Sequence, residues 1–535
     1  MNTRFFHTLI LFVLSLSITG VLLPQSSAAS KNLWPETQQS HHPWTRWWWL
    51  GNAVESEVIT ELLGQYADAG IGGVEITPIY GVKGYENKFI DYLSPEWMAI
   101  FRHTLNSAAD AGMGVDLTHG TGWPFGGPQI SLADAARRAR VTRTSVTGPT
   151  NYSAYVHHID EATGEVAPLS TIMAYARNGR KINLAEFVNE KDYIHWNAPE
   201  GSWEIIAIFN GWTGQQVKRA APGGDGYVMN HFSENALSAY LSRFDSVFTE
   251  HDMPYPRAFY NDSYEVYGAN WSTGFLEEFE QRRGYDLRLF LPDLLSDESG
   301  EQAHRVKSDY QETIFDLLLN NFTRSWVNWV EERGAVARNQ AHGSPGNLLD
   351  IYAAASIPET EIFHPSGFPI PGLRTEPGFG DSPGKPDPLV LKFSSSAAHI
   401  TGKPLVSSET ATWLGEHFKV ALSQVKPEID QLFASGINHI QYHGTPYSPP
   451  SDDWPGWLFY ASTHFAPTNT FWDDFQFLNQ YITRSQSLLQ SSKPDHDILL
   501  YFPMHDLWHN VDNPPLQLTV HNPDEWLYGR SVHEA

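Results

Sequence analysis

From Thr45 onward the chain alternates short apolar runs with longer amphipathic ones. "TRWWWLG" is followed by "ESEVITELLGQYADAG", in which Val58, Leu62, Leu63 and Tyr66 recur at helical spacing and Gly70 supplies the stop. "GGVEITPIYG" leads into a second helix that opens on Ser94 with Pro95 at its first position and closes at Gly112. "MGVDLTHGTGW" reads as a third strand, and "SLADAARRAR" as a short helix behind it. Residues 141–230 then change character: "YSAYVHHID", "STIMAYARNG" and "WEIIAIFNGWTG" are strands separated by turn residues, without matching helices. The alternation resumes with the helix "SENALSAYLSRFDSVFTEHD" and the strand "RAFYNDSYEV". A long helix, "KSDYQETIFDLLLNNFTRSWVNWVEERG", precedes "AVARNQAHG". "NLLDIYAAA" and "SIPETEIF" come next, then a helix around "LVLKFSSSAAHITG" and the strand "KPLVSSETATW". "KVALSQVKPEIDQLFASG" with "INHIQYHGTPY" is the last unit.

Strands separated by helices pair in parallel, and eight of them between Thr45 and Tyr447 close naturally into a ring. The expected fold is α/β: a (β/α)8 TIM-type barrel over residues 30–447, with the β-rich insertion at 141–230 after its third unit. An open doubly wound sheet fits less well, because no Gly-rich phosphate fingerprint follows the first strand. Residues 448–535 read as a helix near "FWDDFQFLNQYITRSQSLL" and an apolar strand "HDILLYFP", an incomplete C-terminal extension expected of a truncated product, the alternative being an unusually short protein.

Residues 1–29 are excluded from the fold as a signal peptide: Arg4, the apolar "LILFVLSLSITGVLL", and a small-residue cleavage site at Ser27-Ala28-Ala29. No later segment has the roughly 20 apolar residues of a membrane span, so an exported protein, periplasmic or extracellular, is expected. With no cysteine, neither disulfides nor thiolate metal sites exist. The 35 Lys and Arg against 61 Asp and Glu leave a net charge of −26, which repels nucleic acid.

In such a barrel the strands' C-terminal ends converge on one mouth. They are expected to bring carboxylates and imidazoles there: Glu75; Asp116 and His119; Asp262 and Glu265; Asn339 and His342; Glu359 and Glu361; Glu409; and His443. Trp47, Trp48 and Trp123 stand among them. Neighbouring strand residues face opposite ways, so at least one of Trp47, Trp48 and Trp49 is core; Trp47 is assigned to the sugar. Only one of Glu359 and Glu361 is expected to face the mouth. Two carboxylic acids across a cleft suit glycosidic bond cleavage, one protonating the leaving oxygen while the other activates water or attacks the sugar. No H-E-x-x-H and no G-x-S-x-G is present to support a zinc protease or a serine hydrolase.

"HPWTRWWWLGNAV", "AGIGGVEITPIYGVKGYE", "THGTGWPFGGPQI", "FYNDSYEV" and "SIPETEIF" resemble the α-L-rhamnosidases of glycoside hydrolase family 106, from about Pro43 to Tyr447. The resemblance implies an inverting mechanism and a calcium ion that helps hold rhamnose. It implies Glu265 as general acid and Glu409 as general base. Glu359 or Glu361 is a further carboxylate near the sugar; Glu361 is taken as the metal ligand and Glu359 as a sugar contact. Trp47, Asp116, His119, Trp123, Asp262, Asn339, His342 and His443 complete the expected substrate contacts. The expected partner is a rhamnose-containing oligosaccharide, polysaccharide or glycoside, pectic rhamnogalacturonans being one such class. A retaining β-galactosidase-like exo-glycosidase on the same barrel, or a non-catalytic glycan-binding relative, remains the alternative.

Overall fold

The computed structural model describes residues 34–297, 300–366, 368, 370–373, 387–510 and 517–519. The signal peptide expected at 1–29 lies outside the described residues. Eight strands form the barrel: β1 (Trp44–Leu50), β2 (Gly73–Ile79), β3 (Gly114–Thr118), β4 (Ala258–Asn261), β5 (Val336–Gln340), β6 (Ile357–Phe363), β7 (Ser407–Thr412) and β8 (His439–Pro446). They follow one another around a closed ring, β8 returning to β1, with every neighbouring pair parallel.

Alternation along β1 decides what fills the barrel and what faces its helices. Trp47 packs edge-on against Tyr66 of helix α1 (Ser56–Asp68), with ring centres 5.7 Å apart. Trp49 leans on Trp97 of helix α2 (Pro95–Asp110) at 6.0 Å. Both are core between strand and helix, so Trp47 is not a sugar contact. Trp44, Arg46 and Trp48 turn inward. The Trp44 indole plugs the floor in space that only glycine leaves: a Cβ at Gly73 would meet it at 2.5 Å, and one at Gly114 at 2.3 Å.

Between β3 and β4 the chain builds a four-stranded antiparallel sheet from Arg137–Tyr155, Leu169–Ala176, Lys181–Asn183 and Tyr193–Trp212. Its first strand begins inside "SLADAARRAR", where a helix is expected from the sequence; only turns precede it there. Ala and Arg are good helix formers, but intrinsic propensity is small beside tertiary pairing, and the pairing of Arg137 with Trp212 overrides it. The Arg137 guanidinium donates to the Leu132 and Ala133 carbonyls at 2.8 and 3.0 Å and stacks on Trp212. After this sheet the chain returns to the mouth, where Lys218 pairs its backbone with Trp123.

Beyond β8 the expected helix runs Trp472–Ser491, but 496–503 forms no strand. Among the described residues no strand pairs with that run, and Ile498 and Leu499 are each 85% exposed. No described helix is long and apolar enough to cross a membrane.

Candidate active site

The barrel interior is charged, and its charges lie in two tiers. In the lower one, the fully buried Arg338 stacks on Tyr260 and pairs with Glu75 and Glu359, with Asp116 at 3.5 Å. Thr77 and Thr118 hydroxyls donate to Glu75 at 2.9 and 3.0 Å, and the Ser407 hydroxyl to Glu359 at 2.6 Å. Arg257, at the floor, forks onto Asp116 at 2.8 and 2.6 Å.

Arg46 joins this tier to the upper one. Its guanidinium reaches Glu75 at 2.9 Å, Asp262 at 3.2 Å and Glu409 at 3.3 Å. Burial opposes its charge, but Asp262 and Glu409 more than offset that and raise its pKa. Above it opens a cavity of about 90 Å³, lined by Asp262, Glu265, Glu361 and Glu409 together with Trp123, Gln340, Trp413, His443 and Tyr460.

These acids are not equivalent. Burial pushes the Glu409 carboxyl up, but Arg46, His443 and hydrogen bonds from Thr412 (2.8 Å) and Gln340 (3.0 Å) bring it well below the ordinary range. Burial also works against ionised Glu265. Lys218 and the Tyr267 hydroxyl (2.7 Å) outweigh it and hold that carboxyl low, with Trp123 Nε1 donating at 3.1 Å. Glu361 goes the other way: burial, then Glu409 and Asp262, push it well above a normal glutamate. Asp262 is raised by burial, with Arg46 the main opposing group. His443 is depressed to about 4, chiefly by burial.

Of the residues expected at the mouth, Trp123, Asp262, Glu265, Glu361, Glu409 and His443 line this one cavity. His342 stands just behind it, its Nε2 2.7 Å from Glu361 Oε2. Six others are elsewhere and are corrected. Trp47 is outer core, as above. Glu75 and Asp116 belong to the lower tier, because β2 runs four residues past Glu75 to Ile79 and β3 carries Asp116 at its middle. Glu359 is in that tier too: positions two apart in a strand share a face, so Glu359 and Glu361 both point inward at different depths. His119 lies outside the barrel, stacked on Phe259 and receiving Trp326 Nε1 at 2.8 Å on Nδ1. Asn339, between the inward residues Arg338 and Gln340, turns away and accepts from Asn261 at 2.7 Å. Arg46, Lys218, Gln340 and Tyr267 are absent from the expected set. Arg46 carried a signal, a lone charge at an inward position of an otherwise apolar strand; Lys218, on a return loop, carried none.

Among the described residues no three or more His, Asp or Glu stand together closely enough to hold a metal ion by themselves. The upper tier nevertheless brings together carboxylate and amide oxygens, the kind a hard cation such as calcium takes, beside the His443 imidazole. The Gln340 Oε1 there is buried without a hydrogen-bond partner. Asp262 and Glu361, sharing one arginine with Glu409, are the acids a divalent ion would relieve.

A parallel barrel with several acids in a polar cavity at its mouth is the arrangement that glycoside hydrolases use. The family model described as alpha-L-rhamnosidase matches residues 35–182 and 173–511, and the chain belongs to that family, glycoside hydrolase family 106. A Formosa agariphila protein with the provisional name beta-glucuronidase is 27% identical over 90% of this chain and 44% of its own length. The rhamnosidase structure from Novosphingobium sp. PP1Y superposes with a TM-score of 0.69 at 17% identity, over 85% of this chain and 60% of that one. A β-galactosidase from Halorubrum lacusprofundi gives 0.51 at 12% identity, over 91% and 64%. The chain thus spans about half the length of the relatives it matches, and the two structural likenesses speak to the fold.

Proposed function

We propose that the protein is an exported α-L-rhamnosidase that cleaves rhamnosides with inversion, assisted by calcium. The observation that carries this reading is that Glu265 and Glu409, brought from β4 and β7, line one cavity. Glu409, kept ionised by Arg46, takes a proton from the water that attacks C1 of rhamnose. Glu265 delivers a proton to the glycosidic oxygen as the C1–O bond breaks, releasing rhamnose and the free alcohol. With the site empty of sugar, Lys218 and Tyr267 favour ionised Glu265, so the acid gains its proton as the leaving group displaces those donors. Asp262 and Glu361, with the Gln340 carbonyl, would hold the calcium; bound there, it would neutralise the acid surplus and grip sugar hydroxyls. The leader expected at 1–29 would take the protein to the periplasm or cell exterior.

A second reading of the acid has its own support: burial and then its acidic neighbours Glu409 and Asp262 push Glu361 well above an ordinary glutamate, the direction a proton donor needs. Rhamnosides with leaving groups of different basicity separate the two, since only loss of the true acid is rescued by a good leaving group. The proposal as a whole is tested by mixing the protein with an aryl α-L-rhamnoside and an aryl β-glucuronide and following released sugar by proton NMR. Rhamnose appearing first as its β anomer is expected. First release of the α anomer would remove inversion, and cleavage of the glucuronide alone would remove the rhamnosidase reading.

A further inference from the structure

The cleavage chemistry leaves one charged group at the mouth unused. Arg219 is exposed, and among the described residues no carboxylate lies within ion-pair distance of it. In a chain with 61 acidic residues that is unexpected on charge alone. Its guanidinium lies 4.0 Å from the centre of the Tyr460 ring and 5.9 Å from that of Tyr80. Tyr460 itself lines the cavity.

The backbone holds Arg219 there at a cost. Its φ is +59°, a left-handed conformation that a residue with a side chain rarely adopts and that persists only where its surroundings enforce it. They do so here. The Arg219 carbonyl accepts from Tyr80 N at 3.1 Å, and Lys218 exchanges backbone hydrogen bonds with Trp123 at 3.1 and 2.8 Å. The Lys218 ammonium is already engaged by Glu265 and by Tyr267 at 3.0 Å, so of these two neighbouring cations Arg219 is the one left for a ligand. Its chain neighbour Lys218 pairs with Glu265, the proposed acid, which stands on the side from which the leaving group departs.

We infer that Arg219 forms a leaving-group subsite for a uronate: the sugar next to the cleaved rhamnose carries a carboxylate, which the guanidinium fork pairs while Tyr460 and Tyr80 flank the ring. A planar carboxylate suits that fork, and a stacked guanidinium keeps its edge free to bind it. This inference rests on the rhamnosidase reading.

The test uses the full chain, wild type and Arg219→Gln, on three substrates: a rhamnosyl-uronate disaccharide, its carboxyl-reduced neutral counterpart, and an aryl α-L-rhamnoside. The wild type is expected to favour the acidic disaccharide about tenfold in kcat/KM, mostly through KM, as a charge-assisted hydrogen bond allows. The preference should shrink with added salt, because charges this exposed are screened over about 8 Å at physiological ionic strength. Arg219→Gln should abolish it, and Arg219→Lys should keep part. Equal rates on the two disaccharides in the wild type, with the aryl rhamnoside cleaved, overturn the subsite alone and need no variant to fold. A preference that persists in Arg219→Gln overturns it too. If the aryl rhamnoside is not cleaved at all, the rhamnosidase reading falls and the subsite with it.

Discussion

Arg46 Nη2 lies 3.3 Å from Glu409 Oε2, and the same guanidinium spans to Asp262 and Glu75. One planar group therefore fixes the proposed base and ties it to the barrel's lower tier. Lysine keeps the charge but not the fork, and cannot reach three acids at once. Arg46→Lys is expected to lower kcat about a hundredfold, the scale of an ångström's misplacement at a reacting centre. Glu409 must be ionised to act, and Arg46 lowers its pKa; weakening that pair moves the acid limb of the pH profile upward. An unchanged acid limb in Arg46→Lys would mean that Glu409 is not the base.

Glu265→Gln and Glu409→Gln should each reduce turnover of a natural-type rhamnoside by about 10²–10⁴-fold while leaving the thermal midpoint near wild type. They differ on an aryl rhamnoside with a good leaving group. Glu265→Gln recovers most of its rate there, and Glu409→Gln does not. Recovery in Glu361→Gln instead would transfer the acid's role to Glu361.

The barrel was legible because its signal is repeated eight times: strand, loop, helix, with strand ends rich in acids. Depth within the barrel was not. Glu75, Asp116 and Glu359 look like Glu361 and Glu409 in sequence, and only register and strand length show that they sit beneath the cavity, neutralised by Arg338 and Arg257. The tryptophans of β1 show what alternation can and cannot do: it separates Trp48 from Trp47 and Trp49, but does not say which side is inside. Lys218 was invisible for another reason, since it reaches Glu265 only after an excursion of more than seventy residues through the antiparallel sheet.

Lys218 sets the charge state of Glu265, and that yields a signed prediction. If Glu265 is the acid, activity needs it protonated, and the ammonium opposes protonation. Lys218→Met should raise the Glu265 pKa and shift the alkaline limb of kcat/KM to higher pH. A shift to lower pH, or none, argues against Glu265 as the proton donor.

Calcium can be tested without catalysis. A ligand that binds only the folded protein at a hundred times its Kd stabilises it by about 2.7 kcal/mol, so millimolar calcium should raise the thermal midpoint by some degrees and a chelator reverse it. Glu361→Gln should lose the response. A midpoint indifferent to calcium in the wild type counts against the ion.

Glu428 offers a test of pH-dependent stability away from the site. It lies on the helix Leu422–Ala434, where Oε1 accepts from Ser366 N at 2.8 Å and Oε2 from the Ser366 hydroxyl at 3.0 Å. Burial pushes its carboxyl up from 4.5 to about 7, against the pull of those two bonds. A carboxyl raised in the folded state binds its proton more tightly there than when unfolded, so raising the pH favours unfolding. The penalty begins as pH passes the unfolded value near 4.5 and is complete above 7; the 2.5-unit difference corresponds to about 3 kcal/mol. Glutamine has the same shape, still accepts from Ser366 N, and has no proton to lose. Glu428→Gln should therefore flatten the fall in unfolding free energy between pH 5 and 8 and stabilise the protein at the alkaline end. An equal fall in variant and wild type would show that Glu428 ionises in the folded protein as freely as in the unfolded chain.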